Sequence, residues 1–227
     1  MTMPPLLSAS GSHAAARRKD AAGLVSALSA LLYLEVVRHP HSDSVVRFLV
    51  SKHPGIFPFV LFALHSGSQM CHAMYVNCDS AMLIYGFYRN PKALSEMFRI
   101  RLLSVIRYNS VPALILSVFS AVAIWLTGGE DFPLQILFTI LELGSFLVLF
   151  SAGHLSVYYL LQPYGKELSL GSRLYAIFTF LIGTVLFVLM FLPLNSLVLA
   201  LAGIVMSVVY LWAVTKLIRR FSARTFR

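Results

Sequence analysis

The stretch LYAIFTFLIGTVLFVLMFL at residues 174–192 is followed, after Pro193-Leu194-Asn195, by SLVLALAGIVMSVVYLWAVTK at residues 196–216. Each run has about the length that carries a helix across roughly 30 Å of hydrocarbon at 1.5 Å per residue. Neither contains an acidic side chain. A spanning β-barrel would alternate apolar and polar positions in segments of about ten residues, and residues 181–192 and 197–206 show no such alternation. The pair therefore predicts two antiparallel membrane helices, joined by a tight reversal at Pro193.

Working outward, residues 134–161 form a long apolar run that must tilt or protrude from a bilayer. Residues 111–127 read as a cleaner span and residues 54–76 as a more polar one, while Gly128-Gly129-Glu130-Asp131-Phe132-Pro133 makes a short acidic turn. Residues 21–37 are apolar but contain Glu35 and are short, so they read either as a first transmembrane helix or as one lying at the interface. Arg38 to His41 stand where a signal peptide would have a small-residue cleavage site, so this segment reads as retained. Residues 1–20, rich in Pro, Ser, Ala and Gly, predict a disordered lead. The expected fold is all-α: a polytopic transmembrane helical bundle of five to six spanning helices plus a cytoplasmic amphipathic helix. Its parts are the lead (1–20), an uncertain first helix with its connection (21–53), a polar-striped span (54–76), the amphipathic segment (77–110), four spans (111–216) and a basic tail (217–227).

Composition agrees: 58% of residues are hydrophobic and 12% charged, far from a water-soluble domain. The net charge of +9 does not point to nucleic acid, because the Lys and Arg residues sit at the ends of apolar runs. They set topology instead. If residues 21–37 span, fifteen cations lie on one face and three on the other; otherwise the split is twelve to six. The positive-inside rule favours the first arrangement, six helices with both termini cytoplasmic. Cys71 and Cys78, seven residues apart on one helix, would be separated by about 10 Å of rise, too far for a disulfide.

Glu142 is the one acidic residue well inside a span. Its insertion cost of roughly 3 kcal/mol is outweighed by the surrounding Leu, Ile, Phe and Val, so it inserts, and it is either a pathway or proton-site residue or a protonated or hydrogen-bonded structural one. His65, Gln69 and His72 draw a polar stripe along the weakest span, which should face the bundle or a water-filled cavity. With Glu142 they are the candidate transport pathway. His65 and His72 lie about 10 Å apart in rise and do not share a metal ion without ligands from elsewhere. Ser151, His154 and Tyr158 share a helix face, a pattern for helix–helix hydrogen bonds or a substrate contact.

Residues 77–109 are too patterned for a linker. Leu94, Met97, Phe98, Leu102, Val105 and Ile106 recur at spacings of three and four, with Lys92, Glu96, Arg99 and Arg107 mainly on other faces. Such a helix lies along the membrane surface or under the bundle, as a plain connector or as a docking element. Pro91 breaks it where Arg89 and Asn90 make an exposed elbow. There is no Gly-x-x-x-x-Gly-Lys-Ser/Thr, His-Glu-x-x-His or Gly-x-Ser-x-Gly pattern, so no phosphate loop and no catalytic, cofactor-binding or metal residue is expected.

Tyr75-Val76-Asn77-Cys78-Asp79, Met82 to Arg89, Met97-Phe98-Arg99-Ile100-Arg101-Leu102, His154 to Tyr164 and the ending Ala223-Arg224-Thr225-Phe226-Arg227 together resemble the membrane subunits of Gram-positive bacterial ATP-binding-cassette exporters, in their C-terminal half. The resemblance implies a permease-type subunit in the bacterial cytoplasmic membrane and a separate ATP-binding-cassette ATPase. It also implies a second permease copy or half to complete the solute pathway. On this reading Arg89, Asn90, Pro91, Lys92 and Arg99 form the ATPase-docking surface. The alternative is a membrane scaffold or accessory protein that moves nothing.

Overall fold

The computed structural model describes residues 53–75, 91–127, 132–161 and 173–225. Among the described residues every regular element is a helix: α1 (Ile56–Leu64), α2 (Gly67–Met74), α3 (Pro91–Thr127), α4 (Phe132–Leu161), α5 (Arg173–Phe191) and α6 (Ser196–Thr225). The stretches 92–125, 133–160 and 196–220 are long and apolar enough to cross a membrane, and Ala176–Phe191 is a shorter apolar helix. This is a helical membrane bundle. The expected segment at 21–37, the elbow at Arg89 and Asn90, and Cys78 lie outside the described residues.

The central helix is α4. Over half of its most apolar stretch, 56%, is buried, against 22% for α3 and 28% for α6. The outer helices show lipid their Leu114, Val118 and Trp125 faces on α3 and their Leu201, Val205 and Trp212 faces on α6. No hydrophobic drive exists between helices once they are in lipid, so close backbone approach and interhelical hydrogen bonds hold them together. Between α4 and α6 that approach is made by small residues. Ser207 Oγ donates to the Ser145 carbonyl at 2.8 Å, and a Cβ on Gly203 would overlap the Ser145 hydroxyl. Farther along, Ser156 and Tyr210 share a hydrogen bond of 2.6 Å.

Three expectations are modified. The amphipathic segment and the span after it are one helix of 37 residues, roughly 55 Å long. Pro91 stands at its first position, where its missing N–H costs nothing, and Pro112 lies inside it. The span expected over residues 54–76 is not continuous: α1 and α2 are separated at His65 and Ser66. Finally, α5 and α6 are joined by a tight reversal, yet α5 takes α1 as its packing partner. Gly55 fits against the Leu189 carbonyl, where an added Cβ would come to 2.6 Å, and the Phe59 and Phe187 rings meet edge-on at 6.1 Å.

Candidate functional site

The break between α1 and α2 exposes backbone groups that, in lipid, only protein can satisfy. His65 is extended (φ −71°, ψ 123°) and Ser66 is non-helical (φ −94°, ψ 24°). Four amides around the break have acceptors. His65 N closes α1 on the Phe62 carbonyl at 3.2 Å, and Met70 N opens α2 on the Ser66 carbonyl at 3.0 Å. Ser66 N donates to Asn109 Oδ1 of α3 at 2.9 Å, and Gly67 N donates to His65 Nδ1 at 3.0 Å. Asn109 is itself fixed, its Nδ2 donating to the Val105 carbonyl at 3.0 Å.

That bond from Gly67 determines the imidazole. Since Nδ1 accepts, the ring proton sits on Nε2, and Nε2–H donates to Ser151 Oγ of α4, 3.1 Å away. The Ser–His pair thus runs opposite to the one that activates a nucleophile, where the imidazole accepts the hydroxyl proton. The His154 ring stacks on His65, centroids 5.1 Å apart and planes at 13°. Phe62 and Phe178 flank it at 6.2 and 6.3 Å. Gly67 is wedged against both imidazoles: a Cβ there would stand 2.5 Å from His154 Cδ2 and 2.6 Å from His65 Cε1. Cys71 Sγ donates to the His154 carbonyl at 3.7 Å, tying α2 to α4.

Of the residues singled out from sequence, the fold brings together His65, Ser151 and His154. It does not add Gln69, which is exposed on α2, or His72, half-buried farther along α2. The predicted stripe fails to form because the helix that would carry it is interrupted at its first member. Tyr158 is buried but belongs to a separate apolar cluster, against the Tyr159 ring at 5.4 Å. Glu142 is completely buried on α4, nine residues or about 13 Å along the axis from Ser151, too far to join the junction. Lys92 and Arg99 are exposed on α3. Among the described residues no group of three or more His, Cys, Asp or Glu could hold a metal ion.

Asn109 and Gly67 were missed from sequence, and both are needed for the junction. The signal was there in part: His65-Ser66-Gly67-Ser68 concentrates helix-breaking residues inside an apolar run. Nothing local, however, says which side chain will receive the freed N–H of Ser66. No known protein family matches the chain, nor does any curated protein or solved structure.

Proposed function

We propose that the chain is a permease-type membrane subunit of an ATP-binding-cassette exporter of the bacterial cytoplasmic membrane. A separate ATPase drives it from the side that carries the α3 N-terminus and the α6 C-terminus, and a second permease copy or half completes the solute pathway. One observation carries this reading: α3 runs unbroken from exposed Lys92 and Arg99 to Asn109, which holds the interrupted α1–α2 helix through Ser66. A push on the outer end of a continuous helix moves its inner residues as one body. Here that motion would be delivered to non-helical backbone, which transporters place where a cavity opens. The motifs of residues 75–102 and 154–164 support the same reading.

Rocking of α3 against α4 would shift Asn109 relative to Ser66 and open the junction around His65 and His154, an alternating-access step powered by the partner's closure. The test is purification of the chain from its own membranes. An ATPase bearing a phosphate loop should accompany the wild type and be lost from the Arg89→Ala, Lys92→Ala, Arg99→Ala triple variant. Absence of any ATPase from both preparations would overturn the proposal and leave a non-transporting scaffold.

A further inference from the structure

Glu142 has an exposure of 0%, and among the described residues neither of its carboxyl oxygens has a hydrogen-bond partner. It lies ten residues into α4 from Phe132, about 15 Å, which is half the thickness of a typical hydrocarbon core. The hydroxyls at this depth are already committed as donors elsewhere. Thr139 donates to the Gln135 carbonyl and Ser145 to the carbonyl of Glu142 itself. On α3, Ser117 donates to the Ala113 carbonyl and Ser120 to the Ser117 carbonyl. On α6, Ser207 donates to the Ser145 carbonyl.

No counter-ion faces the acid from the described helices. Beyond Arg107, α3 has no charged residue, and α6 has none before Lys216. Within their helical bounds α1 and α2 carry no Asp, Glu, Lys or Arg, and the one such residue of α5, Arg173, is at its start. The imidazoles of His65 and His154 lie at the junction, about 13 Å or more along the axis, and His72 is farther still on α2. An ionised carboxylate in such a place has neither donor nor cation to offset its lost hydration. A metal cation would need several oxygens converging on it, and among the described residues neither carboxyl oxygen has even one hydrogen-bond partner.

We propose that Glu142 is a proton-binding site at membrane mid-depth, loaded from and released to solution as the surrounding helices move. This inference is independent of the exporter reading, since it needs no ATPase and no solute.

The test uses the full-length protein in its own membranes and the apolar reagent dicyclohexylcarbodiimide. The protonated carboxyl adds across one C=N bond: its oxygen bonds to the central carbon and its proton moves to nitrogen, and an O-to-N acyl shift then gives a stable adduct, with nothing oxidised, reduced or expelled. Mass mapping should find the adduct at Glu142. Once the acid is mostly ionised, the labelling rate should fall by about tenfold per pH unit, and sodium or potassium at fixed pH should leave it unchanged. In parallel, the infrared carbonyl band of a protonated carboxyl should be present in the wild type and missing from Glu142→Gln. Absence of both the adduct and the band would overturn the proposal. Protection by sodium at constant pH would also overturn it, by making the ligand a metal cation.

Discussion

Two polar places on the same helix are solved in opposite ways. At Ser151 and His154, α4 meets the α1–α2 junction, where the His65 nitrogens, the Ser66 and Gly67 amides and the Asn109 side chain all have partners. About 13 Å away, Glu142 is completely buried and has none among the described residues. In lipid, a polar group that is retained must be satisfied by neighbouring protein or by something that comes and goes. The junction is of the first kind and holds a shape. The acid, on the proposal made for it, is of the second kind, and the two should respond differently to substitution.

The largest effect should come from Gly67→Ala. The new methyl would fall on two stacked rings that are held by Ser151, Gly67 N and flanking phenylalanines, so neither ring can yield without breaking the junction. Overpacking of this kind costs about 3 kcal/mol. Thermal unfolding in nanodiscs should show a large loss of stability, and a midpoint equal to wild type would mean that the rings move freely. Next is Asn109→Leu, which keeps the branched outline of the side chain but leaves the Ser66 amide without an acceptor. An unsatisfied buried donor costs about 2 kcal/mol, and exchange of the Ser66 amide hydrogen should accelerate. Unchanged exchange would remove α3 from the role of clamp.

Much of this bundle was legible before any coordinates. The uninterrupted apolar runs at 134–161 and 196–216 became α4 and α6, because the length and polarity of a span are properties of a segment and need no knowledge of its neighbours. The fusion of the amphipathic stretch with residues 111–127 was harder to read. Arg107, Asn109 and Pro112 look like a boundary locally, yet the helix, packed on α4 and α6, runs through them unbroken. The junction was least legible. Ser151 and His154 could be picked out by their common face, but their partner His65 lies 86 residues from Ser151 in the chain, and Asn109 acts through one oxygen that a periodicity argument does not see. Glu142 could be found from its charge alone; its lack of partners could not.

For the acid the expected sign reverses. Glu142→Leu removes two unpartnered oxygens and puts an apolar group of similar bulk in a fully buried position, so stability should rise by about 1 kcal/mol. Unfolding measured beside Asn109→Leu under the same conditions makes this the sharpest test of the contrast. If both variants lose stability alike, the carboxyl has a protein partner and the two places on α4 are of one kind.

The smallest effect should be that of Ser151→Ala. It deletes the acceptor of His65 Nε2–H while leaving Nδ1 bonded to Gly67 N and the ring stacked on His154, so the imidazole stays in place. Interhelical hydrogen bonds in membranes average about 0.6 kcal/mol, and the loss should be of that size. Its value lies in combination. Ser151 acts on the His65 side of the break and Asn109 on the Ser66 side, through adjacent residues of one non-helical step. Independent sites add to within about 0.5 kcal/mol; a junction that opens as a unit would lose most of its second bond once the first is gone. The Ser151→Ala, Asn109→Leu double variant should therefore be less destabilised than the sum of the two, and strict additivity would mean that the break is two separate repairs of the backbone and has no coupled motion to give a transport cycle.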